Sequence, residues 1–252
     1  MTVLAVWWAL GGAMAGLIAG SFIATLVIRW PQARGLGGRS ACDGCGRALT
    51  VRDLVPVLSW AIARGKCRTC GARIDWRHPA IEGVAALVGL VAMVVAPGLP
   101  GAAGALFGWQ LLTLAALDAE HFWLPDRLTG LLATSGLVAG VAGIGVDIQS
   151  RLIGGVAGFA ALFAIAWAYR RVRGREGMGG GDPKLLGAIG CWMGWQALPI
   201  VLIGASGIGL LVALAMLMRG RAVAATTRLP LGTLMAVAAF PLWVFLEAIS
   251  IY

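Results

Sequence analysis

Four cysteines and two aspartates are the residues whose types and spacing could do chemistry in this 252-residue chain. The cysteines form two C-x2-C pairs, Cys42/Cys45 and Cys67/Cys70, with 21 residues between the pairs. Four thiolates at this spacing can surround Zn²⁺ tetrahedrally, and a short polar segment with little core would use that metal to fold. All four positions would then be sulfur, which leaves no open site, so the metal is read as structural. The segments Cys42-Asp-Gly-Cys45-Gly46-Arg47-Ala48-Leu49 and Cys67-Arg-Thr-Cys70-Gly71-Ala72-Arg73-Ile74 share the form C-x-x-C-G-x-x-apolar. Two disulfides would need an oxidising compartment, and a redox pair is usually found beside a βαβ pattern that is missing here. Cys191, alone in an apolar stretch, reads as core packing.

The aspartates are Asp118 and Asp182, each at the end of an apolar run. Ionisable groups inside membrane helices are costly and mark function by default. Two carboxylates close enough to share a proton can hydrolyse a peptide, one acting as base on a bridging water while the other donates to the scissile carbonyl. The run Glu176-Gly-Met-Gly-Gly-Gly181 before Asp182 lets backbone approach whatever lies at that level. Other roles stay open at this point: an N-cap for Asp182, an ion pair, or a proton or cation relay in a transporter. Metal and serine routes to the same hydrolysis lack their residues. There is no H-E-x-x-H, and neither histidine, His78 or His121, follows Ser206 in Gly204-Ala-Ser206-Gly207, so that serine reads as helix packing.

The elements that must hold these groups are membrane helices. The chain is 60% hydrophobic and 12% charged, with mean hydropathy +0.87, more apolar surface than one water-soluble core can hide. Apolar runs at roughly 3–28, 80–97, 102–121, 128–147, 150–169, 183–195, 198–218 and 231–250 predict about eight helices, with 183–218 readable as one helix or two. With the N-terminus outside, 29–79, 122–127, 170–182 and 219–230 face the cytoplasm, and of the 20 Lys and Arg only Arg151 lies on the other side. That placement makes the net charge of +9 a mark of orientation and excludes a nucleic-acid surface. Residues 1–28 hold no Lys or Arg, unlike a cleaved secretory signal, and predict a permanent first helix.

The expected fold is an all-α polytopic membrane protein with a small cytoplasmic zinc-ribbon-like module. Its predicted parts are a first transmembrane helix over 1–28, the four-cysteine module over 29–79, and a multi-helix membrane domain over 80–252.

In order and spacing the motifs resemble the bacterial type IV prepilin peptidases, also called leader peptidases with N-methyltransferase activity. The resemblance covers nearly the whole chain. It runs through Gly20-Ser21-Phe22, the two cysteine pairs, Val55-Pro56-Val-Leu58-Ser59, and Arg77-His-Pro79-Ala-Ile-Glu82, which looks like the family's R-x-P-x-x-E. It continues in Leu117-Asp118, in Leu124-Pro125-Asp126-Arg-Leu128-Thr129, and in Gly179-Gly-Gly181-Asp182-Pro-Lys184, which resembles G-x-G-D.

The resemblance implies an aspartic endopeptidase of the inner membrane with Asp118 and Asp182 as the catalytic pair. Asp126, Gly179, Gly181 and Lys184 are implied as supporting residues, with Asp126 also readable as a helix-start acid and Lys184 as a snorkelling anchor. Glu82 is implied in binding the substrate amine or the methyl donor, beside its reading as a helix-start carboxylate. The implied substrates are prepilins or pseudopilins, cut after their short basic leader at the cytoplasmic face. The implied methyl donor is S-adenosylmethionine, acting on the new N-terminus, and the cysteine module favours that second activity. Two departures bear on it: Asp53-Leu-Val-Pro56 stands where many relatives carry an Asn-Ile-Pro-like stretch, and His78 where they carry an aromatic. A peptidase without methyl transfer and an ion or proton transporter are the alternatives. The sequence carries no signal for an oligomeric state or for which pilus or secretion system is served.

Overall fold

A computed structural model describes residues 3–35, 37–222 and 227–250. Among these residues the fold is helical, and the only β pairing is two isolated bridges, Ala41 with Ala48 and Lys66 with Arg73. The helices are α1 (Val3–Arg29), α2 (Leu58–Ile62), α3 (Arg77–Val95), α4 (Leu99–His121), α5 (Asp126–Val141), α6 (Ile148–Arg173), α7 (Gly181–Met193), α8 (Leu198–Met218) and α9 (Leu231–Ser250). Each of the eight expected apolar runs has its helix, and α2 is an added short turn inside the cysteine module. Six of them, α1, α3, α4, α6, α8 and α9, are long and apolar enough to cross a membrane. The other two are shorter, α5 with 16 residues and α7 with 13. The open question over 183–218 resolves into two helices, because Gly194 takes φ +75° at the end of α7.

The chain divides into two compact units, Met1–Trp109 and Gln110–Tyr252, with the boundary inside α4. In the first unit α1 packs on α3 through Gly12, Gly16 and Gly20. A Cβ on Gly16 would lie 2.2 Å from the Ala85 carbonyl oxygen, and one on Gly12 would lie 2.3 Å from that of Gly89. Small residues four apart thus bring two backbones into contact, which is how helices associate where lipid removes the hydrophobic drive. Trp109 locks the pair by donating its indole N–H to the Ala85 carbonyl at 2.9 Å.

In the second unit α7 is the buried element, with only Lys184 exposed along its length. Apolar residues all round dictate that burial. Gly154 and Gly158 of α6 meet Gly190 and Leu186 of α7 backbone to backbone, while Trp192 of α7 donates its indole N–H to the Leu132 carbonyl of α5 at 2.7 Å. Arg151, the cation on the other side by charge counting, is 2% exposed and donates to the carbonyls of Gly136 (2.7 Å), Val146 (2.8 Å) and Cys191 (3.3 Å). It sits where α5 and α7 end, and helix C-termini present unpaired carbonyls that favour a cation. Its burial among apolar helices therefore has a structural reason.

Candidate functional site

The cysteine module is built from two copies of one turn. In each, a bridge closes the turn, and the N–H of the glycine after the second cysteine donates to the carbonyl of the first: Gly46 to Cys42 at 2.9 Å and Gly71 to Cys67 at 3.0 Å. Gly46 and Gly71 take φ +69° and +72°, a conformation open to glycine and strained for most other residues. The four Sγ atoms of Cys42, Cys45, Cys67 and Cys70 all lie within 4.8 Å of one another, with Cys42 and Cys70 at 3.8 Å. A tetrahedron of Zn–S bonds of about 2.3 Å needs sulfur separations of about 3.8 Å, so this donor set fits zinc. The pKa of the Cys67 thiol is lowered to about 6 by the backbone N–H groups of Cys70 and Thr69, which prepares a thiolate for a metal. None of the five cysteines is in a disulfide.

Asp53, one of the residues that departs from the resemblance, fastens the two turns together. Its carboxylate accepts from Arg47 of the first turn at 3.1 Å and lies 3.7 Å from Arg68 of the second. It also accepts the Thr50 N–H at 3.0 Å, and that backbone bond, ahead of the Thr50 hydroxyl and Arg47, holds the carboxyl below the ordinary Asp range.

Glu82 lies in the second turn of α3 and is 7% exposed. Its Oε2 accepts the Val57 N–H at 2.7 Å. Val57 has φ +59° and ψ −50°, and the Leu58 N–H closes a γ-turn onto the Pro56 carbonyl at 2.6 Å. A β-branched residue in that conformation is strained by about 1–3 kcal/mol. The buried carboxylate holds it in place.

Asp118 and Asp182 belong to the second unit and are 5% and 6% exposed. Asp118 stands one turn before the end of α4, and Asp182 opens α7, where its Oδ2 accepts the Gly179 N–H at 3.1 Å. The two carboxylates lie close enough for their charges to act on each other. Between them comes the start of α9. Thr233 donates its N–H to Asp118 Oδ2 at 2.7 Å and its hydroxyl to the same oxygen at 3.1 Å, while the Gly232 backbone is directed at Asp182. A Cβ on Gly232 would lie 2.9 Å from Asp118 Oδ2 and 2.8 Å from Leu124 Cδ1, so only glycine lets α9 come this close. A Cβ on Gly181 would lie 2.7 Å from Leu124 Cβ, and one on Gly179 3.3 Å from Asp182 Oδ2. Gly181 therefore sets the approach of the loop to Leu124, and Gly179 lets its backbone lie close to Asp182.

Of the other supporting candidates, Asp126 and Lys184 form an ion pair at 2.6 Å, with side chains 74% and 43% exposed. It ties the first turn of α5 to the first turn of α7. Sequence reasoning missed Gly232 and Thr233. The available signal was a Gly-Thr pair at the opening of the last apolar run, where a helix has unpaired N–H groups to offer.

Two family models match the chain: the bacterial peptidase A24 N-terminal domain over residues 14–96 and the type IV leader peptidase family over residues 105–214. Proteins named prepilin leader peptidase/N-methyltransferase are similar to it. The one from Aeromonas hydrophila is 43% identical over 172 residues, 68% of this chain and 59% of the relative. That from Dickeya chrysanthemi is 40% identical over 196 residues, 77% of this chain and 67% of the relative. That from Klebsiella pneumoniae is 37% identical over 201 residues, 77% of this chain and 88% of the relative. The chain spans about three-fifths of the length of the Aeromonas relatives, from 59% coverage. No solved structure matches it. The chain belongs to the type IV leader peptidase family. It is a multi-pass membrane protein of that family, with a four-cysteine cluster suited to zinc.

Proposed function

We propose that this protein is an aspartic membrane endopeptidase that removes the short basic leader of type IV prepilins or pseudopilins and methylates the new N-terminal amine. The observation that carries the reading is that Asp118 and Asp182, both buried at helix ends inside the stretch matched by the leader peptidase family, lie within range of each other's charge beside the start of α9. With one carboxyl protonated and the other ionised, the ionised one takes a proton from a water between them. The water oxygen then bonds to the scissile carbonyl carbon while the protonated acid donates to the carbonyl oxygen. Collapse of that intermediate breaks the C–N bond, and the departing amine takes up a proton. Asp126, Lys184, Gly179 and Gly181 support the pair by fixing α7 and the glycine run.

In this reading the parts of the chain are a membrane helix over 1–28, a zinc-folded module over 29–79 and a membrane peptidase domain over 80–252. The N-terminus faces the periplasm, and the acids lie at the cytoplasmic face of the inner membrane, where a basic leader remains. Cys42, Cys45, Cys67 and Cys70 would hold zinc, which supplies folding and not catalysis. S-adenosylmethionine would supply the methyl group. Its sulfonium is cationic, and Glu82, whose Oε2 is already engaged by the Val57 N–H, would face the donor or the substrate amine through Oε1.

The test is cleavage of a model prepilin by wild type, Asp118→Asn, Asp182→Asn and Asp126→Asn at matched expression. Cutting is expected to vanish in the first two variants and to persist in the third. Near wild-type cutting by both Asp118→Asn and Asp182→Asn would sink the peptidase reading.

A further inference from the structure

We infer that Thr233, at the start of α9, is a positioning residue that decides which oxygen of Asp118 exchanges protons; this rests on the peptidase reading above. The Asp118 carboxylate has two oxygens, each with two lone pairs. Oδ2 receives both donors of Thr233, the N–H at 2.7 Å and the hydroxyl at 3.1 Å. With both lone pairs engaged, Oδ2 is a poor base, and proton exchange falls to Oδ1. The carboxylate plane is fixed at the same time, since two donors from one residue leave it little freedom to rotate.

The hydroxyl is itself held. Thr233 Oγ1 lies 3.0 Å from the Ala115 carbonyl, one turn before Asp118 on the same helix. One hydroxyl proton can serve only one of these acceptors. When Asp118 is ionised the hydroxyl donates to Oδ2. When Asp118 carries a proton the hydroxyl can turn to Ala115 and relax its hold. Thr233 thus accommodates both protonation states, which an acid that alternates between base and donor must visit. Gly232 makes this possible by letting α9 approach to a distance that a Cβ would forbid.

The experiment compares the full chain in detergent, as wild type, Thr233→Ser, Thr233→Val and Thr233→Ala, for kcat and KM on a model prepilin. Tryptophan-fluorescence melting of each variant accompanies the kinetics. Thr233→Ser keeps both donors and is expected within about 2-fold of wild type. Thr233→Val and Thr233→Ala keep the N–H but lose the hydroxyl, and kcat is expected to fall about 10- to 100-fold, the range of a hydrogen bond to a charged group, with KM nearly unchanged. Thr233→Ala removes atoms without adding any, so it covers the case in which Thr233→Val does not fold. Wild-type kcat in Thr233→Ala, or equal loss in Thr233→Ser and Thr233→Ala, would overturn the inference. Asp118→Asn in the same assay separates the failures. If it is silent while Thr233→Ala is fully active, only the role of Thr233 falls, and if it still cuts, the peptidase reading falls with it.

Discussion

The two units each bury a carboxylate that accepts a backbone N–H at 2.7 Å, yet the two carboxylates are built for different ends. Glu82 receives its bond from Val57, a residue held at positive φ in a tight turn. Asp118 receives two bonds from Thr233 on the unstrained first turn of a helix, and a second acid lies within range of its charge. In the first case the acid stabilises the backbone that touches it. In the second the backbone stabilises the acid. Burial alone therefore does not mark a reacting group; the direction in which strain and support run does.

The cysteine module and the second unit are also held together in different ways. The cysteine module has little apolar core and is organised by four sulfurs and the Asp53 contacts, whereas the second unit is organised by glycine faces pressed on α7. Metal removal should expose the difference most strongly. Structural zinc contributes about 10–16 kcal/mol to small cysteine modules, so chelation or Cys67→Ser is expected to make 29–79 protease-sensitive while 110–250 stays resistant. Equal digestion of both regions would remove the contrast. Next in size, Asp118→Asn or Asp182→Asn is expected to lower prepilin cleavage by about 10³-fold or more, as when one member of a cooperating catalytic set is lost. Glu82→Gln should leave that rate within about 3-fold and instead cost about 1–3 kcal/mol at the Val57 turn, read as faster hydrogen exchange at 55–59. Cleavage falling as far in Glu82→Gln as in Asp118→Asn would erase the distinction between the two acids. The smallest effect is expected for Lys184→Met, since an ion pair this exposed contributes about 0–1 kcal/mol, seen as a slight fall in melting temperature with cleavage retained.

What could be read from the sequence was what repeats locally. C-x2-C pairs, apolar runs and a glycine run before an aspartate are patterns within a few residues, and they pointed to the helices, the candidate metal ligands and the candidate acids. Contacts across long separations could not be read in the same way. Thr233 and Asp118 are 115 residues apart, and Lys184 and Asp126 are 58 apart, so their meeting depends on packing that no short window contains. The strain at Val57 was hidden for another reason. A valine by itself favours extended backbone, and here the N–H bond to Glu82 and the turn from Pro56 to Leu58 hold it elsewhere. The break after Met193 was half visible, since Gly194 permits a helix to stop there without requiring it.

The short length of α7 has a consequence for solvent. Thirteen residues rise only about 20 Å, some 10 Å less than the hydrocarbon thickness that lipid-facing helices must match. A helix buried by its neighbours, with Lys184 its one exposed residue, is released from that match. Its opening end can then sit recessed from the headgroups, where water reaches it more easily than lipid does. On the peptidase reading, such a recess would let the second reactant of hydrolysis come to Asp182 without a pore through the membrane.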